Sequence, residues 1–157
     1  MYGSGDGQRF GKLTSGPAAP WCGRYKPMKL IYSPHAELEF QYTVEPHTAA
    51  RKVTIDVIRN WSSITDLVAF AESRHGYENR DGFFGITYGS DLDDFDRENG
   101  ISIPNDYVEA NAGYGACGGE THQLPESEYL ELLRQFLVLK NRTELATRVE
   151  TLLTKDV

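Results

Sequence analysis

The ten residues 36–45, AELEFQYTVE, alternate without a break. Ala36, Leu38, Phe40, Tyr42 and Val44 are separated by Glu37, Glu39, Gln41, Thr43 and Glu45. Successive side chains of a strand point to opposite faces, so this pattern predicts a strand with one buried and one wet face. PHTAA at 46–50 interrupts it. RKVTIDVIRNW then resumes it with Val53, Ile55 and Val57 on one side. Two alternating runs around a five-residue break predict an antiparallel hairpin.

The period then changes. Ser63 with Asp66 forms a capping-box pattern. Ile64, Leu67, Val68 and Ala71 recur at helical spacing, and Gly76 is the expected stop. GFFGITYGS at 82–90 predicts a strand with Phe84, Ile86 and Tyr88 on one side. DYVEANAGY at 106–114 predicts another, with Tyr107, Glu109, Asn111 and Gly113 on one face. Two helices close the chain. Tyr129, Leu130, Leu133, Phe136 and Leu137 stripe the first, and Leu145, Val149, Leu152 and Leu153 the second, with Asn141 and Glu144 as its expected cap. Together with MKLIYS as a first strand, this order predicts an α+β fold: an antiparallel sheet built from hairpins, helices on one face, and two consecutive C-terminal helices.

Residues 1–27 are a different material, with six glycines, three prolines and no periodicity. They predict a flexible leader ahead of a single α+β domain at 28–157, in which Met28 is a candidate translation start. The leader carries a net +3, so the net charge of −7 leaves −10 on the remainder. An acidic body repels phosphate backbones, which argues against nucleic acid as a partner and for a basic protein. No apolar run is long enough to span a membrane, and no signal-like segment opens the chain. Cys22 and Cys117 form no disulfide framework, as expected for a cytoplasmic protein.

GYGACGG at 113–119 places Gly113, Gly115 and Gly118 in G-x-G-x-x-G spacing. A dinucleotide cradle needs a helix that starts within the glycines, so that its free N–H groups meet the pyrophosphate. Here ETHQL intervenes before a helix can start near Pro125, and no lysine or arginine lies between Arg97 and Arg134. The segment therefore reads as a hairpin turn. Gly118 and Gly119 are its expected positive-φ residues, and Gly113 and Gly115 mark a bulge or a close backbone approach.

Asp91, Asp93, Asp94, Asp96 and Glu98 crowd the loop SDLDDFDRENG. An EF-hand register started at Asp94 fails, because its glycine position holds Asn99 and its closing glutamate position holds Asn105. Cys22, His35, Cys117 and His122 are zinc-ligand types without paired spacing. Neither a metal nor a cofactor is expected. Cys117, His122 and Glu120 could serve a small hydrolase only through hairpin geometry, so no catalytic residue is assigned and the chain is read as a non-enzyme.

Tyrosine beside carboxylates is common in protein interfaces, since the ring offers area and a hydroxyl. The expected partner-binding set is Tyr88, Asp91, Asp93, Asp94, Asp96, Glu98 and Tyr107. The segment YVEANAGYGACGGETHQLPESEYLELLRQFL, with its strand, glycine turn, short return strand and P-E-x-E-Y-L-x-L-L run, resembles bacterial immunity proteins of contact-dependent inhibition and other polymorphic toxin systems. That resemblance implies a cytoplasmic inhibitor that binds a cognate basic toxin domain, a nuclease being one such toxin. The alternative is an adaptor or regulatory domain for some other protein.

Overall fold

A computed structural model of the chain describes residues 27–79, 83–114 and 118–155. The leader expected at 1–27 falls outside them except for Pro27. The fold is α+β, with a two-stranded and a four-stranded antiparallel sheet and two consecutive helices at the end of the chain.

Strands β1 (Lys29–Tyr32) and β2 (Tyr42–Glu45) form the first hairpin, in the register Leu30↔Val44 and Tyr32↔Tyr42. The ten-residue strand expected at 36–45 is therefore only its last four residues. The Ser33 N–H donates to Gln41 O at 2.8 Å, so the chain reverses between them. β1 ends before it could pair with Ala36–Phe40. That stretch contains a 3₁₀ turn at Leu38–Phe40, and Leu38 (71%) and Phe40 (53%) lie exposed instead of on a buried face.

The second arm of the expected hairpin is a helix, α1 (Ala49–Asn60). Thr48 caps it by accepting from the Arg51 N–H at 3.1 Å. Val53, Thr54, Ile55, Asp56, Val57 and Ile58 are all buried, because α1 lies between the four-stranded sheet and a C-terminal helix. Ala50, Val53, Val57, Ile58 and Trp61 do recur at helical spacing, but the β-branched residues Val53, Ile55 and Val57 within the same run mimic a strand. The three polar residues inside are satisfied: Arg51 donates to Glu128 Oε1 at 2.9 Å and to Pro46 O at 2.7 Å. The Thr54 hydroxyl donates to Ala50 O at 2.7 Å, and Asp56 is ion-paired.

Helix α2 (Ile64–Ser73) follows the sequence reading, with Ser63 Oγ accepting from the Asp66 N–H and with Leu67, Val68 and Ala71 buried. Its stop is Arg74, in the left-handed region at φ 50°, rather than Gly76. Strands β3 (Tyr77–Glu78), β4 (Phe84–Tyr88), β5 (Tyr107–Gly113) and β6 (Gly119–Pro125) then pair in chain order. Between β4 and β5 the expected polar loop holds a 3₁₀ turn (Gly89–Asp91) and a short helix, α3 (Asp94–Glu98).

Helices α4 (Glu126–Leu139) and α5 (Thr143–Thr154) complete the core. Tyr129, Leu130, Leu133, Phe136 and Leu137 are buried as their spacing predicts, joined by Leu132. Asn141 does not cap α5. It adopts φ 59° in the turn after α4, and the Arg142 N–H closes that turn on Leu137 O at 2.9 Å. One face of the four-stranded sheet packs against α1 and α4, through Ile86, Val108, Ala110 and Leu124.

Candidate functional site

The opposite face of that sheet is only partly covered. β5 alternates strictly: Val108, Ala110 and Ala112 are buried, while Tyr107, Glu109, Asn111 and Gly113 turn outward. The register places Gln123 opposite Glu109, Thr121 opposite Asn111, and Gly85 opposite both Glu78 and Asn111. Strands β3 to β6 contain no lysine or arginine. The connection from β4 to β5 is seated on this face, since the Gln123 side-chain amide donates to Ser102 O at 2.8 Å and to Glu109 Oε2 at 3.3 Å.

The acidic residues of that connection divide by what they touch. The Asp91 carboxylate accepts from the Tyr88 N–H at 2.7 Å and the Gly76 N–H at 2.9 Å, with His75 Nδ1 3.4 Å away. It ties the end of β4 to the approach of β3. Asp93 and Asp96 cap α3 reciprocally: the Asp96 N–H donates to Asp93 Oδ1 at 2.9 Å, and the Asp93 N–H to Asp96 Oδ2 at 3.1 Å. Asp94 is left to solvent, its side chain 96% exposed, with Arg97 3.6 Å away. Glu98 is exposed and Tyr107 half-buried. The oxygens of Asp91, Asp93 and Asp96 thus go to turn-building, and among the described residues no three His, Cys, Asp or Glu side chains are grouped to hold a metal ion.

Tyr88 does not reach this surface, and that part of the expected set is corrected. It is 1% exposed, because its position on β4 turns it into the core with Ile86. Its hydroxyl has no hydrogen-bond partner among the described residues, Arg74 stacks over its ring at 5.3 Å, and burial pushes its phenol far above the ordinary value. The sequence reading missed Phe95, Phe83 and Ile101, which are exposed large hydrophobics. Phe95, 73% exposed on α3, was legible as the one apolar residue flanked by acids on both sides in DDFDRE.

A second cluster lies on the buried side. Asp56 on α1 is 1% exposed and accepts from Lys52 Nζ at 2.8 and 2.9 Å, Arg59 Nε at 3.0 Å and the Tyr114 hydroxyl at 2.8 Å. Burial first, and the bond to Asp56 next, raise the Tyr114 phenol. On β6, His122 Nε2 lies 3.1 Å from Glu120 Oε1. Cys22 and Cys117, invoked for zinc or for a nucleophile, lie outside the described residues. So do Gly115 and Ala116 of the glycine segment. The rest of that segment is the turn between β5 and β6, in the register Gly113↔Gly119. Gly118 has φ 86°, whereas Gly119 belongs to β6 and needs no left-handed backbone. Gly113 is a close approach: its N–H donates to Phe83 O, and a Cβ there would meet Phe83 Cδ1 at 2.9 Å.

The arrangement is an α+β domain with a partly covered sheet face free of cations and an acidic helix bearing an exposed phenyl ring. Comparison with protein-family models, with curated proteins and with solved structures finds no match for this chain. Among the described residues, no helix is long and apolar enough to cross a membrane.

Proposed function

We propose that this chain is a non-enzymatic immunity protein of the cytoplasm that binds and neutralises a cognate basic toxin domain. The observation that supports it is the union of charge and apolar exposure on one connection. Asp94 and Glu98 reach solvent beside Phe95, and the adjoining sheet face offers Glu78, Glu109 and Tyr107 with no lysine or arginine. Long-range attraction steers a positive partner to such a surface, and apolar side chains such as Phe95 and Phe83 then gain from being covered. Carboxylates placed against the lysines and arginines that a toxin uses on its own substrate would inhibit it by occupancy, one molecule for one. The resemblance of the segment Tyr107–Leu137 to immunity proteins supplies the choice of partner.

The test is co-purification with the basic C-terminal domain of a large secreted protein encoded directly upstream of this chain. The expected result is a stoichiometric complex that silences the toxin, with affinity falling as salt rises. Binding indifferent to salt overturns the steering role of the acidic face. Turnover of the toxin or of any small compound by this chain overturns inhibition by occupancy.

A further inference from the structure

Of the four outer strand edges that the two sheets leave, those of β1 and β6 are treated differently. The outer edge of β1 is closed by a side chain: Gln135 Oε1 accepts from the Leu30 N–H at 2.7 Å, and Gln135 Nε2 donates to Met28 O at 3.0 Å. The outer edge of β6 has no such cover. The Tyr114 N–H donates to Gly118 O and the Glu126 N–H to Asp106 O, which fixes the phase of the β5–β6 ladder. In that phase residues 118, 120, 122 and 124 bond to β5, while Gly119, Thr121 and Gln123 point their N–H and C=O groups away from the sheet. Among the described residues nothing pairs with them, and β6 is a terminal strand of its sheet. An unpaired strand edge of this length is a template for another strand.

The side chains state which strand fits. In an antiparallel two-fold pairing of β6 with itself, outward residues must face outward residues. Centring on Thr121 pairs Thr121 with its copy and Gly119 with Gln123 of the copy, each pair exchanging two N–H···O bonds. The residues between are then Glu120 opposite His122 and His122 opposite Glu120, directly facing, with each imidazole placed to donate to a carboxylate. A shift to either neighbouring two-fold register places Glu120 against Glu120, like charges directly opposite, or His122 against His122, and neither keeps the carboxylate–imidazole pairs. Pro125 has no N–H to extend the ladder beyond Gln123 in either direction of slip. Glu120 is exposed and His122 half-buried, so both are within reach of a facing strand.

We infer that β6 is a self-complementary edge through which two copies of this chain join their four-stranded sheets, in the register that sets Glu120 against His122. The pairing uses neither α3 nor the basic partner proposed above, so it stands or falls independently of that reading.

The test is sedimentation equilibrium of the full chain over a wide concentration range. The expected result is reversible association from 17.6 kDa to twice that mass. Thr121→Pro removes an N–H that the β5–β6 ladder does not use, and it should leave the circular dichroism unchanged while abolishing the dimer. Glu120→Lys should weaken association roughly 3- to 30-fold, since two cross-strand pairs are lost per dimer. Glu120→Lys combined with His122→Glu should restore it. A strictly monomeric chain overturns the proposal. So does a dimer that is indifferent to Glu120→Lys, and this variant decides the question even if Thr121→Pro does not fold.

Discussion

The Tyr114 hydroxyl donates to the Asp56 carboxylate at 2.8 Å, joining the residue just past β5 to the middle of the buried helix α1. Lys52 and Arg59 flank the same carboxylate from one turn before and one turn after it. A carboxylate taken out of water requires such partners, and removing one side of a buried ion pair is costly because the other side is stranded. Asp56→Ala should therefore lose about 3 kcal/mol or more. Tyr114→Phe, which removes one hydrogen bond to a charged group, should lose about 1.5–3 kcal/mol. Urea unfolding of both single variants and the double variant checks this, and a coupling energy near zero would separate the two residues.

Three of the four buried tyrosines make the fold sensitive to alkali. Burial pushes the phenols of Tyr77, Tyr88 and Tyr129 well above the ordinary tyrosine value, and Tyr77 and Tyr129 share a hydrogen bond at 3.0 Å. In the unfolded chain each ionises near pH 10. Below that pH their contribution is fully present. Above it the unfolded state sheds protons first, so stability falls by up to about 1.4 kcal/mol per pH unit for each, until the folded value is reached. Unfolding free energies measured at about pH 8 and about pH 11 test the slope. Tyr88→Phe is the sharper variant. It deletes a buried hydroxyl that has no partner among the described residues, so it should gain about 1 kcal/mol at neutral pH and make the alkaline fall shallower. A loss of stability would reveal a bound water at that hydroxyl.

The acidic residues between β4 and β5 should separate into structural and binding groups on substitution. Asp91→Ala strands the Tyr88 and Gly76 N–H groups and should cost about 1–3 kcal/mol. Asp93→Ala removes the cap of α3 and should cost about 1 kcal/mol, felt locally. Asp94→Lys and Glu98→Lys touch little and should change stability by less than about 0.5 kcal/mol. They should nevertheless weaken binding to the basic domain by at least about tenfold between them, mainly in the association rate. Thermal melts paired with association kinetics distinguish the groups. A loss of binding confined to Asp91→Ala would move the partner's footprint off α3.

How much of this was legible in the sequence depended on how each element is buried. α4 and α2 each present one apolar stripe to the core, so Leu133, Phe136 and Leu67 announced their helices by spacing. β5 is covered on one face only, and its alternation of Val108, Ala110 and Ala112 survived into the fold. α1 failed because Ile55 is buried along with Val53 and Val57, so the run alternates like a strand although Ala50, Val53, Val57 and Ile58 also keep helical spacing. The run from Ala36 to Phe40 failed for the opposite reason. It has the composition of a strand, but four-residue β1 gives it no partner. The same local reading placed Tyr88 on a surface, because its acidic neighbours are exposed while β4 turns its own side chain inward. Caps were legible where the side chain acts on its own helix, as Ser63 does. They were not legible where the backbone of Arg74 or Asn141 supplies the turn.

The Gln135 amide offers a last test, because it substitutes for a missing strand. It is the only group among the described residues that bonds to the outer edge of β1, accepting from Leu30 and donating to Met28 O. An amide matches both halves of a peptide, whereas a carboxylate can only accept. Gln135→Glu should therefore keep the bond from the Leu30 N–H and lose the one to Met28 O. It also sets a second carboxylate beside Glu131, to which the amide now donates at 2.6 Å. A destabilisation of about 1–2 kcal/mol is expected. Gln135→Ala frees both edge groups, so amide exchange at Leu30 should accelerate strongly in that variant and much less in Gln135→Glu. Equal acceleration in the two would mean that packing of α4 against β1, rather than the hydrogen bond from Leu30, protects that edge.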